Sequence, residues 1–513
     1  MLNRRDFLIG TGAAGLVTAL GGRRAARAAA PTKLVIGTRQ IEVNGRAARA
    51  FALTGPDGKE GLQFRLGDDF DVTLENRAGV PSLIHWHGLT PPWQQDGVPD
   101  ISQPALAAGS SYSYRFPLTS PGTYWMHSHQ GLQEQQLAAA PLIIHDPAEA
   151  SLDRQEVVVL LHDFSFRSPE EILAGLTKNA GGMGDMAMGG GGGMAGMNMA
   201  GMNMSGMNMG GSNRNGSGMG GMDMSGTNMP GMTMDVRGMS AMKPDLNDVD
   251  YDAFLANGRT LGDPEVVPVD KGGRVRLRLI NGAASTNFTI DTGDLDASLI
   301  AVDGKGVTPV AGRRFPIAVA QRLDLLVALP PEGGAFPILA LQEGTPARTG
   351  IILASPGAAV ARLASTGETG PVLDLRLESS LRPTRGLAER KADRRFVLKL
   401  QGDMSRYAWN FDGLPYPQHP PLPLKQGERV EFSYVNTTMM SHPIHLHGHS
   451  FEVVGIGGRR FQGAVRDTVL VPPMETVDVA FDADNPGKWI MHCHQLYHMT
   501  VGMMLELHYE GFS

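Results

Sequence analysis

The chain reads as an all-β protein of three repeated sandwich domains, and three observations lead there. Glycine and proline punctuate it throughout, with 66 Gly and 34 Pro in 513 residues. Between them lie short runs that alternate apolar and polar side chains, as a strand does with one face on a core. Residues 32–41, 70–75, 275–280, 322–328 and 430–435 read this way. Helical periodicity is confined to residues 169–176. The third observation is an internal repeat, which fixes the number of domains. An alternating strand runs from Gly67 to Asn76, again from Gly272 to Asn281 and again from Gly427 to Asn436.

Taken in order, the first 28 residues stand apart. Asn3-Arg4-Arg5-Asp6-Phe7-Leu8 precedes a short apolar run and then small residues around Ala26-Arg27-Ala28. This predicts a twin-arginine export signal and a periplasmic destination. The apolar run is too short for a membrane span. Without these residues, which hold five Arg and one Asp, the formal charge moves from −7 to −11. No basic stripe for nucleic acid is visible. The remainder is long enough for roughly three domains of ~150 residues. They are expected at 29–148, 149–375 and 376–513, each stabilised by a packed core, because a single cysteine forms no internal disulfide.

The repeat continues past each Asn. Nine residues later stand His85-Trp86-His87-Gly88, Ile290-Asp291-Thr292-Gly293 and His445-Leu446-His447-Gly448. The middle domain has therefore lost its histidines. Further on, Met126-His127-Ser128-His129 parallels Met491-His492-Cys493-His494, with Ser128 at the place of Cys493. Four His-x-His pairs result, at 85/87, 127/129, 445/447 and 492/494. One such pair is ordinarily a solvated face. Eight imidazoles supplied symmetrically by the first and third domains suit a multinuclear metal site at their interface. His145, His162, His419, His449 and His508 fall outside the pairs and read as structural or surface groups.

Cys493 sets the metal. On an extended strand His492 and His494 project to one side and Cys493 to the other. His498 and Met503 follow within a turn that can fold back onto the cysteine. One thiolate, histidines and a distant methionine are the ligand set of a blue-copper electron-transfer centre, and Ser128 denies one to the first domain. A buried free cysteine acting as a small hydrophobe is the plain alternative.

Together HWHG at 85–88, HSH at 127–129, HPIHLHG at 442–448 and HCHQLYHMTVGM at 492–503 resemble the four copper signatures of the multicopper oxidases. The resemblance implies three cupredoxin-like Greek-key domains and four coppers. It assigns His442, Cys493, His498 and Met503 to a type 1 copper, and His85 and His445 to a type 2 copper. It assigns His87, His127, His129, His447, His492 and His494 to a binuclear type 3 pair. The implied reaction moves electrons singly from substrate through Cys493 to the cluster, where dioxygen becomes water. Asp96 matches an acidic position of the family linked to proton delivery, although a loop-capping Asp is its plain reading. A second such position, after the later type 1 histidine, is here Met499.

Residues 183–242 hold 18 of the 28 methionines among Gly, Asn and Ser. This composition builds no core and predicts a disordered insertion, about 179–243, in the second domain. The spacing agrees, since Gly67 to Gly272 spans 205 residues and Gly272 to Gly427 only 155. Thioethers are soft ligands for Cu(I). The expected function is a monomeric periplasmic oxidase of Cu(I), of small phenols or of both, serving copper tolerance. A laccase acting mainly on organic phenols, or a copper store without turnover, are the alternatives.

Overall fold

The computed structural model describes residues 30–179 and 246–512. The expected export signal and the methionine tract lie outside the described residues. Each repeat is a sandwich of two sheets. In the first, a four-stranded sheet built around Thr32–Val43 and Asp69–Asn76 faces another carrying Ile84–His85 and Gly122–Ser128. In the second, a six-stranded sheet containing Arg274–Asn281 faces a five-stranded sheet with Phe288–Asp291. In the third, a seven-stranded sheet containing Arg429–Asn436 faces a five-stranded sheet with His442–Leu446 and Lys488–Cys493. Apolar cores fill the sandwiches, around Phe70, Leu277 and Phe432.

The repeat seen in the sequence is a repeat of pairing. Asp69–Asn76, Arg274–Asn281 and Arg429–Asn436 each lie parallel to the first strand of their own unit and antiparallel to a later one. The Asn closing each strand has a physical task. Asn76, Asn281 and Asn436 all turn the amide toward main-chain carbonyls of the following loop and of a distant segment. Their Oδ1 atoms accept from the amide two residues on. The side chain thus makes an Asx turn and ties the strand's end to a segment far along the chain. The residue cannot be exchanged without losing one of these roles.

The strands read from alternation are present, four of them extended by one or two residues and Arg322–Ala328 matched without extension. The helix expected at 169–176 runs Pro169–Asn179. Ser168 opens it with a capping box: its Oγ accepts from Glu171 N at 3.1 Å, and Glu171 returns a carboxylate to Ser168 N at 2.9 Å.

Candidate functional site

Register brings the histidines together. His85 pairs across the sheet with His127, and His445 with His492. The third repeat's strand ends at Cys493, so His492 and His494 face one way and Cys493 the other, as alternation requires. All four His-x-His pairs converge between the first and third repeats, with ring centroids 3.7 Å apart for His87/His445 and 3.8 Å for His85/His447. The glycines after two of the pairs are enforced by φ of +86° at Gly88 and +68° at Gly448, and by crowding. A Cβ on Gly448 would lie 2.4 Å from the Trp489 ring.

Hydrogen bonds fix which ring nitrogen carries the proton. His85 Nδ1 donates to the Asp96 carbonyl at 2.9 Å, and His445 Nδ1 to the Asp467 carbonyl at 2.8 Å. His447 Nδ1 donates to Asp96 Oδ2 at 2.7 Å and His492 Nδ1 to the Cys493 carbonyl at 2.9 Å, while His127 Nδ1 lies 2.9 Å from Glu134 Oε2. His87 is reversed, its Nε2 donating to Asp467 Oδ1 at 3.1 Å. The opposite nitrogens are therefore lone pairs. Among the described residues, the buried Nε2 atoms of His85, His129, His445 and His494 have no hydrogen-bond partner. His447 Nε2 faces His492 Nε2 at 3.0 Å, and His87 Nδ1 faces His127 Nε2 at 3.4 Å. Two lone pairs at such distances repel unless a cation lies between them.

Burial supports the neutral form. It pushes His87, His127, His129, His445, His447 and His494 well below the ordinary imidazole range, and neighbouring rings depress them further. His492 falls to about 4 for the same leading reason. Neutral imidazoles with one nitrogen tied back and the other free are the form that binds metals.

The second constellation lies on the other face. His442 Nδ1, His498 Nδ1 and Cys493 Sγ form a triangle with edges of 3.2, 3.6 and 3.7 Å. A metal about 2.0–2.3 Å from three in-plane donors implies edges of about 3.5–3.8 Å, so the triangle fits within a few tenths of an ångström. The ring protons are elsewhere. His498 Nε2 donates to Asp248 Oδ2 at 2.8 Å, and His442 Nε2 to Thr438 Oγ1 at 2.9 Å. The Thr438 hydroxyl spends its own proton within 436–440. Burial pushes the Cys493 thiol up, so a thiolate there requires a cation. Met503, buried, follows the short helix Leu496–Thr500, and its carbonyl accepts from Cys493 N at 3.0 Å.

Asp96 touches both His85 and His447, joining the first repeat to the third. Gly97, at φ +82°, lets its loop close, since a Cβ would meet the Ile84 carbonyl. Met499 is partly buried against the third core and offers no proton. Of the unpaired histidines, His162 and His449 are buried and bonded within the fold, while His145 and His508 pair with Glu156 and Glu506 nearer the surface. His419 bonds the Pro420 carbonyl.

Sequence reasoning missed four groups: Glu134, Asp248, Arg322 and Asp467. Glu134 sits 2.9 Å from His127 Nδ1 and 3.8 Å from His494 Nδ1, and Asp467 spans His87 and His445. With Asp96, three carboxylate residues each join one histidine of the first repeat to one of the third. An aspartate inside the apolar run Thr468–Val471 and its preceding residues was the available signal, because ligating imidazoles need an acceptor behind them.

Family models described as multicopper oxidase match residues 41–149, 228–358 and 389–511. The multicopper oxidase MmcO of Mycobacterium tuberculosis is 30% identical over 475 residues, covering 87% of this chain and 81% of that protein. A copper resistance protein A homolog of Pseudomonas syringae pv. tomato is 27% identical over 617 residues, covering 99% of each. Among solved structures, the multicopper oxidase Fet3p superposes with a TM-score of 0.72 at 18% identity, covering 93% of this chain and 90% of that one. A multicopper oxidase from Pseudomonas thermotolerans gives 0.64 at 23% identity, covering 93% and 98%. The fold is theirs, and with donor sets that suit one thiolate-bound and several imidazole-bound coppers, this chain belongs to the multicopper oxidases, copper enzymes that use dioxygen as oxidant.

Proposed function

We propose that the protein is a periplasmic oxidase of Cu(I) and small phenols, exported by the twin-arginine route, acting as a monomer in copper tolerance. The proposed domains are 29–148, 149–375 and 376–513. His442, Cys493, His498 and Met503 would hold the type 1 copper, and His85 and His445 the type 2. His87, His127, His129, His447, His492 and His494 would hold the type 3 pair. Copper there supplies one-electron redox chemistry and the reduction of dioxygen to water. The observation that carries this reading is the set of ring nitrogens facing one another at 3.0–3.4 Å, the opposite nitrogen of each ring being turned to an oxygen outside the cluster.

The chain's own residues do the rest. Cys493 and its peptide neighbours form a bonded path between the two donor sets, because His492 and His494 flank it directly. Asp96 holds His447 and His85 in orientation and is the acid assigned to proton delivery. His498 is the contact toward substrate: its Nε2–H reaches Asp248, which lines a cleft of about 420 Å³ with Arg167, Leu176 and Asp250. Carboxylates at this point favour a cation such as Cu(I). In sequence the methionine tract falls between Leu176 and Asp248, two residues that line this cleft, and its thioethers would collect Cu(I), as the copper resistance relative's name accords with.

Cys493→Ser tests the assignment. It should abolish the blue absorption and oxygen uptake with both Cu(I) and a phenol, while copper bound by the eight histidines stays. Blue colour surviving in this variant would refute the type 1 site.

A further inference from the structure

The middle repeat contributes no histidine to the cluster, yet one of its side chains reaches it. Arg322, on the strand Arg322–Ala328, is fully buried. Its Nη1 donates to Asp467 Oδ1 at 2.6 Å and its Nη2 to Oδ2 at 2.5 Å, a two-pronged pairing that fixes the plane of the carboxylate. The same guanidinium donates to the Thr123 carbonyl at 3.3 Å, on the strand that bears His127. Asp303 of its own repeat accepts from Arg322 N at 2.8 Å. Three repeats therefore meet on one side chain.

Asp467 passes that constraint on. Its Oδ1 accepts from His87 Nε2 and its carbonyl from His445 Nδ1, so one residue aims an imidazole from each outer repeat. Gly88, next to His87, is shaped to this pair. A Cβ there would lie 2.5 Å from Arg322 Nη2 and 2.7 Å from Asp467 Oδ2. Among the described residues, the counterpart carboxylate, Asp96, has no arginine partner, and its Oδ1 makes no hydrogen bond. The two sides of the cluster are thus held differently, one by a cation and one by imidazoles alone.

We propose that Arg322 is a positioning residue for the histidine cluster: the repeat without cluster histidines fixes His87 and His445 through the Asp467 carboxylate and carbonyl. The inference rests on the reading of the eight histidines as copper ligands. Without the guanidinium, the carboxylate loses its fixed plane and His87 its fixed acceptor. Groups that orient ligating histidines carry about 10–100-fold in metal affinity.

The full-length protein is prepared as wild type, Arg322→Met, Arg322→Lys and Arg278→Met, and loaded with copper. Arg278 serves as control: it is equally buried, pairs with Asp324 and Glu156, and also reaches Thr123, but touches no cluster histidine. Copper per chain, the near-ultraviolet absorption of the binuclear pair, the type 2 electron paramagnetic resonance signal and the blue absorption are read for each. Arg322→Met should bind cluster copper about 10–100-fold more weakly and keep its blue absorption. Arg322→Lys keeps the charge but not the fork, and should lie between the two. Arg278→Met should lower thermal stability with unchanged cluster signals. Should Arg322→Met fail to fold, the Lys variant decides: cluster signals and affinity equal to wild type overturn the inference. Full cluster copper in a folded Arg322→Met overturns it too. Wild type that binds copper only at Cys493 overturns the reading of the histidines, and this inference with it.

Discussion

Asp248→Asn isolates the effect of one charge on the thiolate site. The carboxylate accepts from His498 Nε2 at 2.8 Å and from the Tyr407 hydroxyl at 2.6 Å, and its side chain is 1% exposed. Asparagine keeps the shape and an oxygen that can accept both bonds, so the fold and the ring orientation should persist. The lost quantity is a negative charge behind a ligating imidazole. Adding the hydrogen bond, about 2 Å across the ring and about 2 Å from ring to metal puts that charge about 7 Å from a bound copper. At an effective dielectric constant of about 20, the interaction is about 2 kcal/mol. At 59 mV per tenfold for one electron, this is about 100 mV.

The sign follows from which oxidation state carries more charge. A carboxylate stabilises Cu(II) over Cu(I), so its removal should raise the potential. Redox titration followed at the blue absorption measures this directly. Turnover should separate by substrate as well: the ratio of Cu(I) to phenol oxidation should fall, because a cation loses its attraction and a neutral phenol does not. A lowered or unchanged potential would refute the reasoning, and so would an unchanged ratio with an intact His498 environment.

Two further outcomes are expected. Exchanging residues 183–242 for a Gly/Ser linker of equal length should weaken Cu(I) oxidation and leave phenol oxidation intact; an equal ratio before and after would remove the methionines from catalysis. Acid should destabilise the metal-free protein. Burial pushes His162, which donates to the Gly282 carbonyl, down to about 4 from an ordinary 6.5. The unfolded chain therefore takes up the proton first, so the stabilisation is complete above pH 6.5 and is lost progressively toward pH 4. One such residue is worth about 3 kcal/mol over that range. Urea midpoints of wild type and His162→Gln across these pH values should converge as pH falls; parallel curves would contradict the assignment.

What was legible in the sequence was whatever repeats locally. Alternation set the strands, and the interval from Asn76 to His85, repeated from Asn436 to His445, marked both the sheet-closing amide and the metal donors. His492, Cys493 and His494 could be sorted onto two sides because strand geometry alone decides it. What stayed hidden depends on partners far along the chain. Arg322 lies 145 residues from Asp467, and Asp467 lies 380 from His87. Nothing near any of them signals the others. Asp248 is 250 residues from His498 and follows the tract whose composition masks any strand pattern. These groups share a physical origin. Eight neutral rings packed together must each place a proton on an acceptor outside the cluster, and the low dielectric makes an unplaced one costly. The donors come from repeated strands, but the acceptors must come from wherever the interfaces close. A histidine census therefore locates a metal cluster, while its orientation is set by residues such as Asp467, Glu134 and Arg322, which only the packing of three repeats brings within reach.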